Sequence, residues 1–290
     1  MPQNFPEAWN GRVRQLLSTA HEAPFLADIP ELEADITEIG EENVIHVALE
    51  TFAPDVLINN TTYPIEVQEF EDGTKLVTLD KFQTKATRIS EDAAIGASYP
   101  KIDNATRGHV RQISRSKYKK AMHAIAPATN TNATPILTLP DNYTPEDVYK
   151  LLVTMKGKFD DMEVPEDGRR AVLATDHYNA LLLSDKRNIT KLTDPVTGKI
   201  TYMIAGFEVF QYVANPYYTA AGAKLPFGST PGGTDKKASV FYWLDNIGKK
   251  TGLTRQYYDK PDTTNQAHRV NYRHYYICLP LQNQAIGAMK

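Results

Sequence analysis

Seven histidines, one cysteine and a run of carboxylates are the side chains in this chain best suited to catalysis or metal binding, and their spacing argues against each use. His21, His46, His109, His123, His177, His268 and His274 are scattered, and only the last two lie near each other, at a separation that is no recognised ligand spacing. They read as hydrogen-bonded or exposed imidazoles. Asp160, Asp161, Glu163, Glu166 and Asp167 could supply an acid–base pair or hold a cation. They fall, however, at a predicted helix end and the turn after it, where acids are common. Cys278 is the only cysteine, which excludes an internal disulfide and a multi-cysteine zinc site, and its apolar surroundings at 275–279 predict a buried thiol. The nucleophile-elbow, zinc-helix and dinucleotide glycine patterns do not occur. Gly198 and Lys199 lack the upstream glycine and following hydroxyl of a phosphate loop, since Thr193 and Ile200 stand there. No catalytic residue, metal ligand or cofactor is assigned.

Charge is arranged more tellingly than its sum of -3. Between Gln15 and Thr74 there is no Lys or Arg, while Glu and Asp recur from Glu22 to Asp72. From Lys75 to Ile125 the sign reverses, with Lys101, Arg107, Arg111, Arg115, Lys117, Lys119 and Lys120 set against few acids. The two stretches could be two solvated faces, or could meet between neighbouring subunits. The basic stretch could also touch phosphates, but without interleaved aromatics it reads as a subunit contact rather than a nucleic-acid reader.

The elements that carry these charges follow from periodicity. Residues 1–50 alternate short apolar pairs with acids and Pro6, Pro24 and Pro30, too interrupted for a core of their own, and read as an arm lying on another surface. Residues 63–68 and 75–80 predict two strands joined by Glu71, Asp72, Gly73 and Thr74, the Asp-Gly pair marking the turn. Such a ribbon is marginal alone in water and needs a surface to pack on. A helix is predicted over 108–125, with Val110, Ile113, Tyr118, Ala121, Met122 and Ile125 on one face and the arginines beside it. After a polar linker at 127–142, Thr144 and Pro145 cap a second helix running to about Phe159. A strand over 170–173, a short helix begun by Thr175 or Asp176, strands at 200–204 and 207–213, a mobile glycine-rich loop at 222–237, and strands near 240–243, 253–258 and 269–279 complete an α+β pattern without internal repeats.

Length and composition agree: 290 residues, 41% hydrophobic and 23% charged, suffice for a real core. No signal-peptide pattern opens the sequence and no apolar window reaches the ~18 residues of a membrane span, so a soluble, non-secreted protein in a reducing compartment is expected.

Three stretches, weak singly, are specific in their order: LDKFQTKAT at 79–87, VPEDGRRAVL at 164–173 leading to Tyr178, Leu181 and Leu182, and IAGFEV at 204–209. Through them the chain resembles the major capsid proteins of tailed bacteriophages, the Hong Kong ninety-seven type coat fold shared with encapsulins. The resemblance implies an N-terminal arm at 1–50, an extended loop at 51–90, a peripheral domain with a long spine helix at 91–140 and 251–290, and an axial domain at 141–250. It further implies self-assembly into hexamers and pentamers of an icosahedral head enclosing double-stranded DNA, in the virion capsid, built in the host bacterial cytoplasm. A separate scaffolding protein, a portal and decoration proteins are the implied partners; packaged DNA is met by non-specific proximity, and no membrane is involved.

On this reading Asp72, Gly73, Lys75 and Lys81 of the ribbon, with Arg107, Arg111, Arg115 and Lys119 of the helix, are the expected assembly contacts. Some relatives cross-link a ribbon lysine to a neighbour's asparagine; Lys75 and Lys81 lie in that region, but the accompanying acid and acceptor are not matched. Two alternatives stand beside it: an encapsulin-like compartment shell, and a small-molecule enzyme using Tyr272, Tyr275 and Tyr276 or the carboxylates near Asp160.

Overall fold

The structure, a computed structural model, describes residues 23–32, 36–39, 42–49, 73–90, 101–184, 190–193, 200–259 and 266–290. The predicted strand at 63–68, and Asp72 with it, lie outside the described residues. Three strands near the N-terminus, β1 (Ile36–Ile39), β2 (Glu42–Leu49) and β3 (Gly73–Thr78), form an antiparallel sheet in the order β1-β2-β3. Residues 75–78 are therefore a strand as expected. Their described partner is β2, with Val77 opposite Ile45 and Leu76 opposite His46.

Beyond Leu79 the chain leaves this sheet for a second one. Strands β4 (Asp80–Gln83) and β5 (Thr87–Ser90) both pair with a strand of the long hairpin near the C-terminus, introduced below. Helix α1 follows, over Lys101–Ile125, seven residues longer at its N-terminal end than predicted. Gly108 reads as a boundary because glycine costs ~1 kcal/mol inside a helix. Tertiary contacts to Thr106 and His109 override that cost.

The largest sheet has seven strands in the order β6-β16-β13-β7-β10-β9-β8. These are β6 (Ile136–Leu137), β7 (Arg169–Leu173), β8 (Thr190–Thr193), β9 (Ile200–Ile204), β10 (Phe207–Gln211), β13 (Ser239–Trp243) and β16 (Ile286–Met289), while β11 (Tyr217–Tyr218) and β12 (Lys236–Lys237) form a small separate ribbon. Ala205 and Gly206, with φ of 48° and 76°, turn β9 into β10, as a two-residue hairpin turn with both residues left-handed requires. Strand side chains alternate between the faces. Ala171, Leu173 and Phe241 meet helix α2 (Pro145–Asp161) and α3 (Thr175–Leu183), whereas Val172, Val240 and Tyr242 meet the C-terminal end of α1.

The long hairpin consists of β14 (Ile247–Asp259) and β15 (Ala267–Pro280). Its register shifts between Thr251 and Thr254. A Cβ on Gly252 would stand 2.7 Å from that of Tyr275 and 2.9 Å from Leu79 Cδ2, so this close approach of layers needs glycine. Val270 and Tyr272 of β15 pack on Val110 and Ile113 of α1.

The arm was expected to have no core of its own and to lie on another surface, and residues 23–32 find that surface in their own chain. Phe25, Leu26 and Ile29 are buried with Met122, Ile125 and Tyr242, and at ~1.5–3 kcal/mol each such burial is a firm anchor. The loop expected to be mobile at 222–237 also makes fixed contacts: Lys224 Nζ donates to the carbonyls of His123, at 2.9 Å, and Ala126, at 2.6 Å, capping the end of α1.

Candidate functional site

Helix α1 brings Arg107, Arg111, Arg115 and Lys119 to the surface, all exposed and spaced four residues apart, about 6 Å of helix rise per step. Like charges at this spacing repel by a few tenths of a kcal/mol per pair. Arg111 and Arg115 have no carboxylate partner among the described residues. Lys119 and Lys120 lie over the ring of Phe227 at 5.7 Å and 4.9 Å, and Lys120 also reaches Asp80 at 3.8 Å.

Beside this stripe runs a groove of about 630 Å³ between α1 and the β4–β5 segment, lined by Lys81, Phe82, Thr84, Thr87, His109 and Gln112 among others. Lys81 sits on β4 opposite Tyr275, with an exposed side chain. Gly73 opens β3 opposite Leu49, and Lys75 lies opposite Val47. The helical cations and Lys81 thus flank one region, and Gly73 and Lys75 lie on the neighbouring three-stranded sheet.

The residues considered for catalysis are otherwise engaged. Asp160 accepts hydrogen bonds from Arg169 at 2.7 Å and Lys156 at 2.8 Å, and these hold its carboxyl below the ordinary range. Glu166 pairs with the same lysine at 3.3 Å. Tyr272, Tyr275 and Tyr276 are buried. His268 shares a hydrogen bond with Tyr258 and His274 with Thr254, so the two histidines do not converge. Among the described residues no group of three or more potential metal ligands occurs.

Sequence reasoning overlooked two polar centres. Arg170, buried in β7, donates to the carboxylates of Asp28 and Glu208 at 3.0 Å each and to the backbone carbonyls of Phe25 and Ala27, tying the arm to the sheet. An arginine pair opening a strand of five buried residues was the available signal. The other centre is His177: Ser239 Oγ accepts from the Ala174 amide at 2.9 Å and shares a hydrogen bond with His177 Nδ1 at 2.8 Å. Ser239 is fully buried, which makes this a structural pair and not a nucleophile with its base.

The layered α+β architecture, with a long helix crossing an extended hairpin, is similar to that of viral and virus-like shells. A chain of Mycobacterium phage Che8 superposes with a TM-score of 0.60 at 12% identity, covering 91% of this chain and 90% of that one. The capsid structure of the cyanophage P-SCSP1u gives 0.63 at 12% identity over 94% and 89%, and a virus-like particle from Pyrococcus furiosus 0.59 at 9% over 99% and 100%. No curated protein sequence matches significantly. At such identities the superpositions establish the fold, which is that of capsid subunits. The sequence itself matches the profile described as phage capsid protein over residues 71–288, and the chain belongs to that family.

Proposed function

We propose that this chain is the major shell subunit of a tailed-phage head, joining copies of itself as hexamers and pentamers around double-stranded DNA. The match to the phage capsid protein family over residues 71–288 is the observation that carries this reading. The segregation of charge supports its mechanism. Exposed Arg111 and Arg115, with the groove beside them, form the landing surface for the acidic residues of a neighbouring copy, drawn from the stretch between 15 and 74 that contains no Lys or Arg. Arg107, Lys119, Lys81, Lys75, Gly73 and Asp72 complete the same contact region. Each contact is weak, and the shell is durable because every subunit is held by several neighbours at once.

In this proposal residues 1–50 are the arm, 51–90 the extended loop, 91–140 with 251–290 the peripheral domain and 141–250 the axial domain. Assembly takes place in the host cytoplasm with a scaffolding protein and a portal, and decoration proteins are possible outer partners. Electron microscopy of negatively stained protein, co-expressed with its neighbouring genes, tests the reading. Closed shells, or rings of five and six, are expected. Arg111→Glu/Arg115→Glu should remain folded, with unchanged circular dichroism, and fail to form them; normal shells from that variant would refute the charge pairing. A monomer under every condition would refute the shell reading itself.

A further inference from the structure

We propose that the joint between α1 and β15 is an acid-sensitive hinge, in which proton uptake by His109 on the helix and His274 on the strand loosens the helix from the hairpin. The joint is polar along the first half of the helix, whereas Met122 and Ile125 meet Tyr276 and Cys278 in the larger core. In that first half the apolar cluster is small, Val110 and Ile113 against Val270 and Tyr272, and beside it Thr106 is hydrogen-bonded to Tyr272 at 3.1 Å, His109 Nε2 to Thr87 at 3.0 Å, and His274 Nδ1 to Thr254 at 2.9 Å.

His274 is fully buried, its ring stacks on Tyr276 with 6.4 Å between centroids, and its Nε2 has no acceptor among the described residues. A proton there would create a charge with no partner. One cation already occupies the seam: Lys117 is 3% exposed and its ammonium lies 4.5 Å from the Tyr276 ring centroid. Among the described residues the surrounding elements supply no uncommitted carboxylate to compensate a proton there. On the same face β14 offers the neutral Thr254 and Gln256, β5 offers Thr87, and β15 offers Tyr272 and Tyr276. Arg255 and Arg273 lie on the alternate face, as does Lys81. The carboxylate that β4 brings, Asp80 opposite Tyr276, is taken by Lys120. Burial, reinforced by Lys117, holds His274 neutral down to about 3, and burial lowers His109 as well.

Because the open joint binds protons at the ordinary imidazole value and closed His274 does not, each pH unit well below about 6.5 favours opening up to tenfold at His274, and His109 adds in the same direction. His109 lines the groove, which gives protons a path to the helix side of the seam. The sign is fixed: protection is full above the unfolded value and is lost as the pH falls.

Hydrogen exchange of the full-length, unassembled chain, corrected for the intrinsic rate, tests the hinge without reference to shells. Between about pH 6.5 and pH 5, opening of α1 and β15 should rise at least ~15-fold. His274→Phe keeps the ring stack and removes the charge, so it should cut that rise at least tenfold while α3, beside His177, keeps its own acid response. An unchanged pH dependence of α1 in His274→Phe would overturn the proposal. Should that variant not fold, ring NMR of the histidines in the unaltered chain decides: His274 resisting protonation to below pH 5 supports the hinge, and ordinary titration near 6.5 in the closed subunit overturns it.

Discussion

At the scale of single residues, burial of ionisable groups sets how the subunit answers acid. His177 is locked by Ser239 and kept neutral by desolvation down to about 4. The unfolded chain protonates it near 6.5, so between those values the unfolded state holds more protons and stability must fall as the pH falls. Two and a half units correspond to roughly 3 kcal/mol. His177→Phe should flatten the pH dependence of the urea midpoint between about pH 6.5 and 4, although Ser239 then loses its hydrogen bond to the imidazole and the neutral-pH midpoint should drop. The sequence could name the histidine but not this environment, because Ser239 lies 62 positions away and comes close only when β13 docks beside β7. Gly252 is a second case of the same kind. Nothing in KTGLT reveals that Tyr275 and Leu79 crowd it, yet Gly252→Ala should cost ~1–3 kcal/mol through overpacking, read as a lowered thermal midpoint.

At the scale of elements, local signals were legible where they are self-contained. Thr144 and Asp147 form a reciprocal capping box, with Pro145 at the first helical position, and α2 starts where the sequence says it should. Thr144→Ala should therefore cost about 1 kcal/mol. Helix α1 shows the opposite case. Its extra two turns before residue 108 rest on Thr106 reaching Tyr272, 166 positions away, and on His109 reaching Thr87, contacts that periodicity does not register. The structure leaves open space around a Cβ at Gly108, itself an exposed position in regular helix. Gly108→Ala should accordingly stabilise the subunit by about 0.5–1 kcal/mol, raising the thermal midpoint by a few degrees. A loss of stability would mean that the helix breaks at this glycine. The pairing of β2 with β3 was illegible for a related reason: a hairpin motif reports the turn beside a strand, whereas β2 is brought to β3 from more than twenty residues away, and the strand expected at 63–68 lies outside the described residues.

At the scale of the whole molecule, the chain's last strand closes the largest sheet. β16 lies between β13, antiparallel, and β6, parallel, and all four of its residues are buried. Lys290 extends the lock: its backbone carbonyl accepts from Leu139 at 2.7 Å, and its ammonium donates to the carbonyls of Thr219 and Ala220. Ile286 and Ala288 fill the side of the sheet facing α1, and Met289 the side facing α2, so one short strand joins both cores. Removing residues 286–290 would expose the edge of β13, strand β6 would lose its partner, and two fully buried side chains worth ~1.5–3 kcal/mol each would go with it. Against a total stability of only ~5–15 kcal/mol, that loss should abolish cooperative unfolding. By contrast, Gly228–Asp235 is a surface loop with seven of its eight residues exposed, and shortening it by Thr230–Gly232 should leave the thermal midpoint within a few degrees of the parent. Circular dichroism melts of the two truncations test the contrast. A sharp transition in the chain lacking 286–290 would show that the seven-stranded sheet does not need its penultimate strand, and that the fold is held chiefly by the joint between α1 and the hairpin.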